Sequence, residues 1–495
     1  MATPRPLSAH ARPDRRTERL DVLLPALALL LALVVRLALM QSNAGITMDS
    51  ALYVRMSEWL RSAHHEGSPA HHGYPLWIAL ASYVVPGREL PGRLVSLAAS
   101  LAFVACVWVV TRRRLSPGRS FVPTLIVALH PLLAVYGVAI MTEATFLALA
   151  FGAVTLLDGG RLRTGGALLG AAWWVRPEAA VIAPLAVLMS RGSWRERALS
   201  LLIAGCVALP YTALLRVEQG YWSLTPKTAL VRAPFADGRA AEWRLHDASA
   251  FADSVSLTDR LARDGGAILR AYPHRLWDHA RRLNESWNFV LLIGSMIGLL
   301  LAAGRGPWLA FLALPLVYPL LSAPADLRFA QLVIPGLVVP FAAMLSHARA
   351  RAPGMALALA VGVAVALGLL WSGASGKLAL AFDDGPMPAL RGAGAWLAAH
   401  SAPDAVIMDR KSYVPFFAER RHVQLPDESL DALLDYARAS SATHLVVEEY
   451  VVTALRPQLA PLLDPGHMAG ERRARLVFAI RPAPGDGVAV FEIVR

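Results

Sequence analysis

Long apolar runs broken by short polar joints fill the first three quarters of the chain. The first, Leu20 to Met40, has about the length a helix needs to cross the hydrocarbon core of a bilayer. Runs of similar character lie near 94–110, 121–139, 143–158, 198–215, 288–303, 307–322, 329–346 and 355–372. "YPLWIALASYVV" is too short to span and predicts a segment at the interface. "GGALLGAAWWVRPEAAVIAPLAVLMSRGSWRER" is basic at both ends and has Arg176, Pro177 and Glu178 in its middle. Two short helices meeting at "RPE" keep an arginine out of the membrane midplane and put the break where the residue before proline resists helix. The pattern therefore predicts eleven crossings.

From about Lys377 the pattern changes. "DAVIM", "HVQL", "THLVVEE", "RLVFAI" and "VAVFEIVR" read as strands, with "SYVPFFA" and "LDALLDYARAS" between them as helices. Apolar strands interleaved with amphipathic helices predict a small α/β domain. It carries no nucleophile elbow, phosphate loop or dinucleotide fingerprint, so a capping, binding or scaffolding role is expected of it.

Charge orients this arrangement. "RPDRRTER" precedes the first run, and "TRRRLSPGR", "DGGRLR" and "HARARAPG" fall at alternate joints. The positive-inside rule puts these in the cytosol and Asp49 outside. The chain divides into a cytosolic tail (1–19) before a retained helix, a membrane domain (20–376) with outer loops 41–91 and 216–287, and an extracytoplasmic domain (377–495). Of the 495 residues 56% are hydrophobic and 17% charged, a balance that soluble domains do not show and that identifies a polytopic α-helical membrane protein. The net charge of +12 lies mostly in short loops, so it reads as topology and not as a nucleic-acid surface. Cys106 and Cys206 both lie in apolar runs and read as packed thiols. The abundance of Ala, Arg, Gly and Pro fits a bacterium rich in G and C.

The unusual polar residues gather on the outer side. Asp49 opens the amphipathic stretch "MDSALYVRMSEWLRSA": it is either an N-cap worth about 1 kcal/mol or a general base for an acceptor hydroxyl, and one residue can serve both roles. Tyr53 shares its helical face and would orient the carboxylate, stack on a sugar or anchor the surface. Glu143 follows Thr142 at the start of a run: it is a helix-end carboxylate behind a Thr142 cap, or a second acid for the acceptor or a divalent cation. The histidines of "SAHHEGSPAHHGYPLW" lack zinc spacing, which leaves His71 and His72 as substrate or phosphate contacts or as solvated loop residues. Arg328 in "DLRF" suits a phosphate, or else anchors the helix or pairs with Asp326. Arg176 is a second candidate for a phosphate, with an ion pair to Glu178 or Glu143 as the alternative. In the long loop Tyr221, Trp222 and Lys227 would wall a sugar pocket. His274, Arg275, Arg281 and Arg282 form a basic patch for which lipid headgroups are an equal partner.

The ordered set "MDSALYVRMSEWL", "GYPLWIAL", "RLVSLAASLAFVACVWVVTRR", "TEATFLALAF", "GALLGAAWWVRPEAAVIAPLAVL" and "DLRFAQLVIPGL" resembles the GT-C superfamily of membrane glycosyltransferases over about residues 20–346. The similarity is to the polyprenyl-phosphate-sugar-dependent group, which includes protein O-mannosyltransferases and the bacterial aminoarabinose transferase of lipid A. The resemblance implies inverting transfer from a lipid-phosphate donor, with Asp49 as the acid of the first outer loop and Arg328 as the late arginine near the donor phosphate. Many relatives carry paired acids at the first site, whereas Ser50 follows Asp49 here, which turns attention to Glu143.

The expected function is transfer of a sugar from a polyprenyl-phosphate donor to a hydroxyl of an envelope glycolipid, polysaccharide or protein. It would take place at the outer face of the bacterial inner membrane, with membrane lipids as further partners. Asp49 and Glu143 would hold Mg2+, Mn2+ or Ca2+ if the reaction uses a divalent cation. A transporter or flippase of lipid-linked substrates and a noncatalytic envelope-assembly scaffold are the competing classes. The first lacks the inverted repeat and deep polar groups expected of it.

Overall fold

A computed structural model describes residues 15–42, 45–62, 70–220, 222–226, 257–301, 306–320, 325–347, 362–372, 387–464, 468 and 470–494. The chain is a polytopic α-helical membrane protein. Among the described residues four helices are long and apolar enough to cross a membrane by length and composition, or five if one bent pair counts as a single span. Among the described residues the other runs form shorter helices.

Helices α1 (Arg15–Ser42), α4 (Leu90–Arg112) and α7 (Thr142–Asp158) pack together. At one end Arg112 pairs with Asp21, and Arg113 and Arg114 converge on Asp158. At the other end, about 35 Å away along the 23 residues of α4, lie the starts of α7 and of α2 (Met48–Ser62). Helices α8 (Leu162–Val175), α9 (Ala179–Leu188) and α10 (Trp194–Gln219) continue the bundle. The turn between α8 and α9 is "RPE": Arg176, held before Pro177, is extended with φ −152° and ψ 144°.

The run read near 121–139 is broken into α5 (Pro117–Leu129) and α6 (Pro131–Tyr136), because Pro131 cannot continue α5 and His130 turns extended ahead of it. Inside a bilayer the carbonyls freed by such a break need donors. Arg36 of α1, fully buried, donates to Ala128 O at 2.8 Å, Leu133 O at 3.4 Å and Ser100 Oγ at 2.7 Å. Trp371 Nε1 donates to Leu129 O at 3.0 Å. Gly137 leaves room for this arginine: a Cβ there would lie 2.9 Å from Arg36 Nε.

The outer segment 216–287 carries helix at both of its described ends. Helix α10 runs on to Gln219, and the last 31 residues form one helix, α11 (Leu257–Trp287). Ile268, Leu276, His279 and Leu283 recur at helical spacing and turn inward, while Arg270, His274, Trp277 and Arg281 remain exposed. The charges on the outer face mask that stripe in the sequence. At Asn288, φ 66°, the chain bends by 104° into α12 (Phe289–Leu301), whose exposed residues are apolar.

A 3-10 stretch, Pro307–Ala313, leads into α13 (Leu314–Val317). Then come α14 (Leu327–Ala330), a 3-10 turn, and α15 (Ile334–His347); the apolar helix α16 (Gly362–Ser372) ends the bundle.

The remaining chain folds on a five-stranded sheet of order β2-β1-β3-β5-β4. Strands β1 (Val406–Asp409), β2 (Arg421–Gln424) and β3 (His444–Glu448) are parallel, and β4 (Ala474–Ile480) and β5 (Val488–Ile493) pair antiparallel. Three helices accompany it: α17 (Met387–His400), α18 (Tyr413–Ala418) and α19 (Leu430–Ala439).

Helix α18 sits against α2, and three arginines hold the joint. Arg88 forms a bidentate pair with Glu58 of α2 at 2.6 and 2.9 Å, donates to Phe416 O and lies 4.2 Å over the Phe416 ring. Arg55 of α2 donates to Arg420 O at 2.9 Å. Arg391 of α17 pairs with Glu89 at 2.9 Å and covers Phe417. The sheet domain thus grips the helix that begins beside Asp49. Arg88→Ala is expected to weaken the joint by about 1–2 kcal/mol, seen as roughly 5–30-fold faster hydrogen exchange in α2. Arg88→Lys, which keeps the charge without the fork, should restore only part of the protection.

Candidate functional site

The chain enters α2 through "GITMDS". Thr47 and Ser50 cap this end between themselves: Ser50 N donates to Thr47 Oγ1 at 3.0 Å, and Thr47 N donates to Ser50 Oγ at 3.1 Å. Asp49 is therefore not the cap. Its Oδ2 instead accepts from Arg328 Nη1 at 3.1 Å, across 279 residues of sequence. Arg328 stands in the first turn of α14. Asp326 caps that helix, accepting from Arg328 N at 2.9 Å, and lies 3.7 Å from the guanidinium.

A second ion cluster surrounds the "RPE" turn. Arg176 Nη1 donates to Glu143 Oε1 at 2.7 Å and to Thr142 Oγ1 at 2.8 Å. Its Nη2 donates to Glu178 Oε1 at 2.8 Å, and Tyr318 O–H reaches the same oxygen at 3.2 Å. Thr142 is not the N-cap of α7, since Met141 holds that position, and Glu143 lies in the first turn, at the positive end of the helix. Both alternatives read for Arg176 as an ion pair are present together. All three nitrogens of its guanidinium are engaged. A phosphate there would compete with two carboxylates.

Phe329 joins the two clusters. The Arg328 guanidinium lies 4.9 Å from its ring centre, that of Arg176 lies 5.5 Å away, and Tyr318 packs at 5.2 Å. Tyr53 is buried beside them. Burial raises its phenol well above the usual range, and the Asp49 and Glu143 carboxylates push it further, so it stands neutral as a hydrogen-bonding group. Among the described residues four carboxylates (Asp49, Glu143, Glu178 and Asp326) face two guanidiniums (Arg176 and Arg328), a surplus of acidic groups. Glu143 Oε2 is buried with no hydrogen-bond partner among the described residues. That bare oxygen and the acidic surplus fit a cation. Among the described residues, however, no group of three or more His, Cys, Asp or Glu is arranged to hold a metal ion.

Asp49, Tyr53, Glu143, Arg176 and Arg328 are thus brought together. His71 and His72 make other contacts: His71 bridges Trp173 O and Thr225 Oγ1, both at 3.1 Å, and His72 Nε2 lies 3.2 Å from Glu218. Both rings pack on Tyr211, so they fasten the start of α3 (Gly73–Ala81) to α8 and α10. Trp222 is exposed, and Tyr221 and Lys227 lie outside the described residues. Sequence reasoning missed Tyr318 and Phe329, which stand inside apolar runs and give no sign of polar neighbours. The only signal was the position of Phe329 directly after Arg328.

No protein-family model matches the chain, and no curated protein does. Solved structures do. ArnT from Cupriavidus metallidurans bound to undecaprenyl phosphate is 13% identical with a TM-score of 0.58, covering 94% of this chain and 97% of that one. The oligosaccharyltransferase of Archaeoglobus fulgidus in its apo form is 11% identical with a TM-score of 0.58, covering 92% and 73%. AglB from Archaeoglobus fulgidus, in complex with an inhibitory peptide and a dolichol-phosphate, is 12% identical with a TM-score of 0.58, covering 96% and 74%. The chain shares the GT-C-type membrane fold of these structures.

Proposed function

We propose that this chain is an inverting glycosyltransferase that moves a sugar from a polyprenyl-phosphate donor to a hydroxyl of an envelope acceptor. The observation that carries the reading is the Asp49–Arg328 pair, formed by a carboxylate freed from capping and an arginine from a late helix. The fold shared with a protein solved with undecaprenyl phosphate, and with one solved with a dolichol-phosphate, supports it.

The chemistry follows from what each group can exchange. Arg328 is engaged to Asp49 from its Nη1, in a pair that keeps a fifth to a quarter of its side-chain surface exposed. An incoming phosphate offers a better partner for the planar fork than a single carboxylate oxygen. When the donor phosphate takes Arg328, Asp49 gives up that ion pair and becomes more basic. The acceptor oxygen then attacks the anomeric carbon and its proton passes to Asp49. The bond from that carbon to the phosphate oxygen breaks, and its electron pair stays on the phosphate, where Arg328 stabilises the charge. Arg176, enclosed by Glu143, Glu178 and Thr142, acts as the scaffold that fixes the carboxylates. A divalent cation, where one is used, would be held by Asp49 and Glu143 and would offset the charge of the incoming phosphate.

The proposed setting is the bacterial plasma membrane, with eleven crossings and the carboxylate cluster and residues 377–495 on the outer face. The opposite end, where Arg112, Arg113 and Arg114 gather, would be cytosolic, as the positive-inside rule requires.

Purified protein in nanodiscs, given a panel of polyprenyl-phosphate sugars with envelope lipids as acceptors, should consume one donor. Asp49→Asn, which keeps shape but not basicity, is expected to slow that turnover by about 100- to 10,000-fold while donor still binds. Full turnover in the folded variant would remove Asp49 as the base. The two arginines should separate cleanly. Arg176→Met strands buried carboxylates and should cost roughly 3–5 kcal/mol, read as loss of folded protein on size exclusion. Arg328→Met, which takes a part-buried partner from Asp49 and Asp326, should cost about 1–3 kcal/mol, less than Arg176→Met, yet abolish donor binding.

A further inference from the structure

A cavity of about 270 Å³ lies where α11 bends into α12. Its volume falls just below the roughly 300 Å³ at which pockets for drug-sized ligands begin, so it has room for one small ring. Its walls differ in chemistry. Leu132, Phe289, Leu327, Leu369 and Leu370 supply an apolar side, drawn from α6, α12, α14 and α16. Asn284, Glu285 and Asn288 supply donors and acceptors on the other.

The bend itself builds the polar wall. Asn288 occupies the left-handed region, where asparagine is favoured among non-glycine residues, and its Oδ1 accepts from Val290 N at 2.9 Å to start α12. Glu285 is fixed by Arg282 at 2.7 Å, and Arg282 Nε donates to Ala325 O at 3.1 Å, which ties this wall to the approach to α14. Leu327, in the opposite wall, directly precedes Arg328. The cavity wall thus comes within one residue of Arg328 along α14, while Arg328 itself is not one of the lining residues. Carbohydrate rings present hydroxyls at their edge and C–H groups on their faces, and a pocket with amides and a carboxylate facing aliphatic and aromatic side chains matches both.

We propose that this cavity receives the sugar ring of the lipid-linked donor, with Asn284 and Asn288 reading its hydroxyls. The assignment rests on the function proposed above. It makes the bend at Asn288 the element that discriminates among donors, separate from the carboxylates that carry the chemistry.

The test uses the full chain in nanodiscs and measures binding of bare undecaprenyl phosphate beside undecaprenyl-phosphate mannose, glucose and arabinose. The corresponding free sugar 1-phosphates serve to separate the ring from its lipid. At least one sugar-bearing lipid should bind about tenfold more tightly than the bare lipid, the worth of one or two good hydrogen bonds. Asn284→Ala, and Asn288→Asp, which keeps the left-handed backbone and the acceptor for Val290 N but removes the amide donor, should shrink that advantage to within about twofold and leave bare-lipid affinity unchanged. Equal binding of bare and sugar-bearing lipids, or variants that weaken both alike, would overturn the pocket while leaving the proposed function standing. Failure of every prenyl phosphate to bind or turn over would overturn both. An advantage reproduced by a free sugar 1-phosphate without the lipid would support the pocket as a ring site.

Discussion

Two arginines at one end of the bundle organise carboxylates drawn from remote parts of the chain. Arg328 meets Asp49 across 279 residues, and Arg176 meets Glu143 across 33. Isolated charges at a membrane boundary are expensive, so each of these groups constrains where its partner's helix can lie. The start of α2, the start of α7, the "RPE" turn and the entry to α14 are held in one place for this reason. Arg36 performs the equivalent service for the backbone, supplying donors where Pro131 breaks a helix inside the bundle.

The two arginines differ in what they can release. Arg176 is enclosed by two carboxylates and a hydroxyl, whereas the Arg328 pair is partly open to its surroundings. A buried, fully satisfied cluster resists change, and a partly exposed pair between single atoms exchanges readily. This division gives the site a fixed side and a movable side. The sheet domain adds to the fixed side, because Arg88 and Arg391 hold α2 and the start of α4 against α18.

Much of this was legible in the sequence where a residue type had one physical use. Pro177 announced the break between α8 and α9, and runs such as "DAVIM" and "THLVVEE" carry β1 and β3. Asp49 and Arg328 stood out as charges at the ends of apolar runs. What the sequence hid was pairing. Whether Asp49 caps its own helix depends on Thr47 and Ser50 finding each other, and the sequence offered Glu143 and Glu178 as alternative partners of Arg176 where the fold engages both. Helix α11 was concealed because its inward stripe is narrow and its outer face carries charge of both signs. Tyr318 and Phe329 were concealed because an aromatic in an apolar run looks like core until its neighbours are known.

Under the proposed function, donor phosphate and Asp49 compete for Arg328. The most direct measurement is a structure, by electron microscopy in nanodiscs, of the Asp49→Asn protein and of the unaltered protein with a polyprenyl-phosphate sugar bound. The account predicts the phosphate on the Arg328 fork and residue 49 separated from it by more than about 4 Å, the limit of an ion pair, with the Arg176 cluster unchanged. A bound donor whose phosphate rests elsewhere while Asp49 and Arg328 remain paired would contradict it.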